Sequence, residues 1–270
     1  MPWNLVTQHH KEQAIFPVLR KNGIDQTSVL NADTDQLGTF SGEIPRILSI
    51  EQTLLEKCKL VSNQFPTAIF LATEGSFGPH PVIPWISHHQ ESFLLWDRST
   101  DAIFFHHFNS NSTNFQVGTI RSKQQLVEFC SRSKFPSHAI ILKSTQGNHP
   151  QIYKGLQNWE EVFEIWDNSN GELFAETDMR AMYNPTRMAN IRIGFSAFLE
   201  NLQKECPKCA YPGFFTKDVE LGLPCQWCNL PTQSILFAIH RCEHCSLEEK
   251  EKHPLGKSHE DPMYCSNCNP

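Results

Sequence analysis

Long apolar runs are missing from this 270-residue chain. No stretch approaches the roughly 18–20 consecutive apolar residues of a membrane-spanning helix, so no membrane association is expected. An excess of positive charge is missing too. Lys and Arg number 23 against 29 Asp and Glu, a formal net charge of −6. Nucleic-acid binders attract the phosphate backbone with clustered cations, so this balance argues against that class. The opening residues, MPWNLVTQHHKEQ, lack the charged lead and apolar core of a secretion signal, and a cytoplasmic protein is expected. Cysteine is scarce before residue 206, where only Cys58 and Cys130 occur. Each falls in an expected helix and reads as a buried structural thiol. With 39% hydrophobic and 19% charged residues, the composition is that of a soluble globular protein. The length suffices for one large domain or two smaller ones.

The remaining eight cysteines crowd into the tail as four CxxC pairs: Cys206/Cys209, Cys225/Cys228, Cys242/Cys245 and Cys265/Cys268. A CxxC turn points two thiolates to one side, and two such turns complete a tetrahedral metal site. The gaps of 15 residues from Cys209 to Cys225 and 19 from Cys245 to Cys265 match the zinc-ribbon template. Two structural zinc ions are therefore expected. Spacing favours sequential pairing, 206/209/225/228 and 242/245/265/268, over interleaved pairing. His244, His253 and His259 are spare ligands with no vacancy to fill. Residues 206–270 carry 6 Lys and Arg against 8 Asp and Glu. That balance disfavours nucleic acid and leaves a scaffold or protein-contact role. Trp227, Phe214 and Phe215 could stack on bases or cover the metal core.

Residues 1–205 alternate helical and strand signals. Strands are expected at Trp3–Thr7, Thr67–Thr73, Ser92–Trp96, Ala102–Phe108, Asn114–Gly118 and Ala139–Lys143. Helices are expected at Lys11–Asn22, Glu51–Asn63, Lys123–Ser133, Trp159–Asp167 and Thr186–Lys204. The fold class is α/β, a mixed sheet flanked by helices, with the double zinc ribbon of 206–270 following as a second domain.

Candidate chemistry lies where polar segments meet element ends. In open α/β sheets the ligand crevice lies beyond the carboxyl ends of strands. The stretch TEGSFGPHP (73–81) takes that place after TAIFLAT, so Glu74 is a candidate catalytic carboxylate. With Asp35, Asp178 and Glu43 it could hold Mg²⁺, which takes carboxylates and substrate phosphates. Asp33 belongs to the same acidic loop. His80 is a candidate general base, and His9 and His10 lie nearby. His106 and His107 are adjacent in a strand and face opposite sides. Lys154-Gly155 is a minor phosphate candidate.

The stretch ETDMRAMYNPTRM (176–188) opens a helix with Asn184 as N-cap and Pro185 at the first position. That puts Arg187 in the first turn, where the helix dipole favours an anion. A phosphate gripped by Arg187, by Arg180 and by free N–H groups of the helix start would resolve the conflict. The structural alternative is an Asp178–Arg187 ion pair.

Taken together, TDQLGTFSGEIPR (34–46), TEGSFGPHP (73–81), FPSH (135–138), KG (154–155), ETDMRAMYNPTRM (176–188) and the cysteine tail resemble an uncharacterised bacterial family classed as a domain of unknown function. A second resemblance is to the house-cleaning inosine/xanthosine triphosphatases. LVTQHHKE (5–12) is similar to their strand-then-TxxxK opening, GTFSGEIPR before a helix containing Lys57 to their Glu-before-helix segment, and ATEG (72–75) to their acidic-Gly loop. That resemblance implies Thr7, Lys11 and Arg187 on nucleotide phosphates, with Glu43 and Glu74 on a metal. The chain departs from that pattern in its single acid at Glu74 and its zinc tail.

The expected function is a Mg²⁺-dependent phosphohydrolase of a nucleotide or another small phosphorylated molecule. Glu43, Glu74, Asp35 and Asp178 would hold metal, while Lys11, Arg180 and Arg187 would bind phosphate. A metal-bound water would attack. The alternative is a non-enzymatic zinc-ribbon adaptor with a protein partner.

Overall fold

The computed structural model of the chain describes residues 2–38, 47–65, 67–144 and 151–270. It divides into two compact units, Met1–Ser196 and Ala197–Pro270.

The first unit contains two sheets. One has the strand order β2-β1-β3-β4-β5, built from β1 (Trp3–Val6), β2 (Thr27–Leu30), β3 (Ile69–Pro79), β4 (Ser87–Asp97) and β5 (Ala102–Ser110). The strands β1, β2 and β3 run parallel, while β3, β4 and β5 form antiparallel hairpins. The sheet is therefore mixed. Helices α1 (Glu12–Lys21) and α2 (Ile50–Ser62) supply the crossovers after β1 and β2. Leu54, Cys58 and Val61 of α2 pack on Phe70, Ala72, Leu94 and Trp96, which share one sheet face. Ser49 caps α2 with a complete capping box through Gln52. Gly23 ends α1 at φ +77°, a conformation that costs glycine little.

The second sheet has the order β6-β9-β7-β8, from β6 (Val117–Ile120), β7 (Ile140–Ser144), β8 (Ile152–Leu156) and β9 (Leu173–Thr177). Helices α3 (Lys123–Arg132) and α4 (Trp159–Asp167) bury Leu126, Phe129, Cys130 and Val162 against Ile140, Leu142 and Ala175. Cys58 and Cys130 are both buried. The long helix α5 (Pro185–Leu202) follows. Among its expected apolar residues, Ile191, Phe195, Phe198, Leu199 and Leu202 are buried.

Two expected strands change shape. Thr67–Thr73 gives way to β3, which continues through Glu74, Gly75 and Gly78 to Pro79 because β4 pairs with it along all eleven residues. Glu74 and the glycines are thus strand residues, not a loop. The strand expected at Asn114–Gly118 begins only at Val117. The Asn114 side chain instead donates to the Ser133 carbonyl at 2.9 Å and accepts from Asn184 at 2.9 Å.

The second unit is a three-stranded antiparallel sheet, β10 (Phe215–Leu221), β11 (Ile235–Arg241) and β12 (Glu248–Lys252), threaded by the CxxC turns. All five β12 residues, EEKEK, are exposed. Charge on an outer strand discourages edge-to-edge association. No described helix is long and apolar enough to cross a membrane.

Candidate functional site

Arg187 lies where the helix start was expected. Asn184 accepts the Arg187 N–H at 2.9 Å as N-cap, and Pro185 has no N–H to satisfy. The Thr186 N–H goes to Nε2 of His138 at 3.2 Å. Burial and Lys134 lower the pKa of this imidazole, which suits it to accept that bond. The first-turn N–H groups are therefore committed internally, which corrects the expectation that they stand free for a phosphate.

The anion that Arg187 meets is Glu91, on β4. The guanidinium donates from Nε to Oε2 at 3.0 Å and from Nη2 to Oε1 at 3.2 Å, while Nη1 donates to the Met179 carbonyl at 2.6 Å. Glu91 is fully buried and Arg187 is 5% exposed. Burial alone would push the Glu91 carboxyl up, but Arg187, Lys11 and the His89 hydrogen bond carry it well below the usual carboxylate range. The expected Asp178–Arg187 pair does not form. Asp178 instead receives Arg180, from Nε at 3.0 Å and from Nη2 at 2.6 Å, together with the Gly155 N–H at 3.1 Å.

Sheet register explains why Glu91 is central. On β4, His89, Glu91 and Phe93 share a face, opposite Phe77, Gly75 and Thr73 of β3. The helix α5 covers that face, with Phe195 and Phe93 ring centroids 6.0 Å apart. A Cβ on Gly75 would lie 2.4 Å from Arg187 Nη2 and 2.9 Å from Glu91 Oε2. That glycine marks where the guanidinium passes, not a turn. His89 donates from Nε2 to Glu91 at 3.0 Å, accepts from the Asn190 amide of α5 on Nδ1 at 3.0 Å, and stacks on Phe77 at 4.4 Å. Thr73 donates its hydroxyl to Glu91.

Lys11 enters the same group from the start of α1. Its Nζ donates to the Thr73 carbonyl at 2.8 Å and lies 3.5 Å from Glu91 Oε1. Glu74, on the opposite sheet face, is paired with Lys57 of α2. The β1–β3 ladder ends at Val6 and Ala72, so β3 runs on past the carboxyl end of β1. Thr7 and His9 follow β1 there, and the buried Thr7 accepts the His9 N–H at 3.2 Å. His9 is held down to about 3, first by burial and then by the positive charges of Lys11, Arg187, Lys57 and Arg180.

Glu74 lies on the other sheet face with Lys57 and Arg180 is held by Asp178, whereas Lys11 and Arg187 are brought together on Glu91. His80 is not among them. It follows the end of β3, about 17 Å along the strand from Gly75 at ~3.4 Å per residue, and its Nδ1 accepts the N–H groups of Val82 and Ile83. Glu43 and the side chain of Asp35 lie outside the described residues. Among the described residues, no trio of His, Cys, Asp or Glu ligand atoms outside the tail gathers closely enough for a metal. Sequence reasoning missed Glu91, His89, Thr73 and Asn190. A cation in a helix's first turn is the signal that an anion must be found for it.

The second site is the cysteine tail. All eight cysteines form two groups, 206/209/242/245 and 225/228/265/268. The pairing is interleaved, which corrects the sequential reading. Antiparallel strands impose it. Cys206/Cys209 precede β10 and Cys242/Cys245 follow β11, at the end where Phe215 faces Arg241. Cys225/Cys228 lie at the other end, where Leu221 faces Ile235. Each strand carries the chain to the opposite end, so first meets third and second meets fourth.

The cysteine turns share one geometry. The N–H groups of Ala210, Asn229, Ser246 and Asn269 donate to the carbonyls of Cys206, Cys225, Cys242 and Cys265 at 2.8, 3.0, 3.1 and 2.8 Å. Ala210, Asn229 and Ser246 take φ near +57°. Sulfur separations are 3.7 Å for Cys206–Cys245, 3.6 Å for Cys209–Cys242, 3.8 Å for Cys225–Cys268 and 3.6 Å for Cys228–Cys265. A tetrahedral zinc with Zn–S bonds of ~2.3 Å sets its sulfurs about 3.8 Å apart. The donor set therefore fits zinc, with all four positions taken by sulfur.

Fold and sites define an α/β protein with a buried cluster of ion pairs around Glu91 and a tail of two Cys₄ sites that fit zinc ribbons. The chain belongs to the family described as "Domain of unknown function (DUF6671)", whose pattern matches residues 57–270. No curated protein and no solved structure matches it. The family match includes Glu74, Glu91, Arg180, Arg187 and all eight tail cysteines, and begins after Lys11.

Proposed function

We propose that the first unit binds a small phosphorylated molecule, such as a nucleotide or sugar phosphate, at the carboxyl end of β1, and that the second unit is held by two structural zinc ions. One observation carries the first part. Lys11, Lys57, Arg180 and Arg187 converge from separate segments, and the contacts among the described residues oppose them with three carboxylates, Glu74, Glu91 and Asp178. All four cations act on His9 at the end of β1, and cations gathered at one strand end suit an anionic ligand. The placement suits it as well, because ligands of open α/β sheets bind beyond the carboxyl ends of parallel strands.

Binding is favoured over Mg²⁺-dependent hydrolysis by how the carboxylates are used. Glu74 is turned to Lys57 and Asp178 to Arg180, and among the described residues neither joins other acids in an oxygen cage. A thermal-shift screen of nucleotides, sugar phosphates and pyrophosphate, with and without Mg²⁺, tests the reading. Phosphorylated compounds should raise the unfolding midpoint without Mg²⁺, because a ligand selective for the native state stabilises it. No shift at millimolar concentrations would contradict the proposal, and a shift strictly dependent on Mg²⁺ would favour hydrolysis.

A second reading attaches to the zinc unit. Trp227, Leu230, Met263 and Tyr264 are exposed beside the cysteines of one metal group. Aromatic and apolar side chains clustered in the open mark protein contacts. This favours a protein partner for that unit over nucleic acid.

A further inference from the structure

We propose that a cavity between α2 and the amino end of β3 binds a small carboxylate that carries an apolar body. Because β1 and β3 run parallel, this end of the sheet is opposite the carboxyl end of β1. The site is therefore separate from the phosphate site proposed above.

The cavity measures about 500 Å³. Its walls are Leu55 and Lys59 of α2, Trp96 near the end of β4, Arg98 and Asp101 of the turn that follows, and Ile103 of β5. Ligand pockets commonly span ~300–1,000 Å³ and combine apolar walls with a few polar groups. Strand register builds this one. Phe70, Trp96 and Ile103 face one another across β3, β4 and β5, so all three share the sheet face that α2 covers. The Arg98 N–H donates to the Ala68 carbonyl at 3.2 Å, which fixes the chain just beyond the β3–β4 ladder.

Arg98 is the group without an answer. Its guanidinium lies over the Trp96 ring, 4.7 Å from the centroid. Its Nε is buried and has no acceptor. The nearby carboxylates are engaged elsewhere. Asp97 accepts the Ser99 N–H at 2.8 Å and its hydroxyl at 2.6 Å, and Asp101 accepts the Trp96 indole N–H at 2.8 Å. Lys59, the other cation of the cavity, is paired with Glu56 at 2.8 Å and lies in the last turn of α2, where it complements the helix dipole. Arg98 is thus the uncommitted charge, and the indole that holds its head is itself held by Asp101. A cation placed in advance binds an anion at lower ordering cost.

The ligand class follows from that count. A guanidinium donates two parallel N–H groups to a carboxylate. A phosphate dianion suits a site with several free cations, and the charge of Asp101 disfavours a second negative charge here. Leu55, Ile103 and Trp96 supply the wall for an apolar body.

The probe is 2-naphthoate, titrated calorimetrically into the full-length chain. Its uncharged counterpart is 2-naphthalenemethanol, and acetate is the carboxylate without the body. Naphthoate should bind saturably, and each counterpart at least ~10-fold more weakly. Arg98→Gln should weaken naphthoate at least ~10-fold, and Arg98→Lys, which keeps the charge without the fork, should restore only part of the loss. Arg180→Gln should bind naphthoate as the wild type does, and excess pyrophosphate should not compete, so either site can fail while the other stands. Absence of naphthoate binding up to millimolar concentration, equal affinity in Arg98→Gln, or competition by pyrophosphate would overturn this site. Equal affinity for naphthoate and the alcohol would overturn the carboxylate class.

Discussion

In the tail, each metal-binding turn is made of cysteines three residues apart, and its backbone bonds close within five or six residues. In the first unit, the central carboxylate Glu91 meets Lys11 from 80 positions away and Arg187 from 96. One centre is built from repeated local turns, the other from strand register and helix placement. The contrast extends to what holds them. A zinc ion would supply the attraction in the tail, whereas the buried ion pairs around Glu91 must repay their own desolvation. A local centre is robust in its parts and depends on its ion. A distributed centre depends on every partner at once.

The largest expected effect breaks the tail. The double substitution Cys209→Ser/Cys242→Ser removes two ligands from one interleaved group, so the chain should retain one zinc, counted by native mass spectrometry. Sequential pairing would damage both groups and leave none. Structural zinc binding contributes on the order of 10 kcal/mol to such folds, so the damaged end should become protease-sensitive.

Next comes the crevice. Glu91→Gln leaves the buried Arg187 and Lys11 facing a neutral amide, which should cost ~3–5 kcal/mol in urea unfolding. The exposed Arg241–Glu248 pair of the tail, 3.0 Å apart, sharpens the contrast, because Glu248→Gln should cost less than ~1 kcal/mol. Equal losses would erase the distinction between the two centres. Gly75→Ala, which drives a methyl against Arg187, should cost ~1–3 kcal/mol. A neutral result would mean that the guanidinium is not held there.

The crevice cations should also show in pH dependence. Unfolded Lys11 keeps its proton to near 10.5, while the folded residue gives it up at about 7. The unfolded state therefore binds more protons between those values, and stability rises with pH across that window. Lys11→Met should flatten this rise by up to ~1.4 kcal/mol per pH unit. An unchanged slope would show that Lys11 titrates normally.

The two centres were unequally legible in the sequence. The CxxC spacing declared all eight ligands, because a metal turn is a local chemical pattern. The pairing was not legible from gap lengths, which ignore what the gaps contain. The apolar run of SILFAIHR before Cys242 is a strand, and a strand between turns carries the chain to the other end. In the first unit, Lys11, Glu74, Arg180 and Arg187 could be named from motifs and helix position. Glu91 could not, since its role depends on facing Gly75 across a hairpin. Its face was nevertheless implied by Phe93 and Leu95, which alternate with it toward the same side. The glycines of TEGSFGP misled because a bare Cα can make room for a side chain as well as for a turn.

The cations gathered at the end of β1 are proposed to receive an anion. Calorimetric titration of pyrophosphate into the wild-type chain and into Arg180→Gln tests it most directly. Arg180 is the most exposed of the four cations, and its loss removes one positive charge from the site. An anion site there gives saturable binding to the wild type and at least ~10-fold weaker binding to the variant, a difference of about 1.4 kcal/mol. Absence of binding to the wild type, or equal affinity in both proteins with the fold intact, would contradict it.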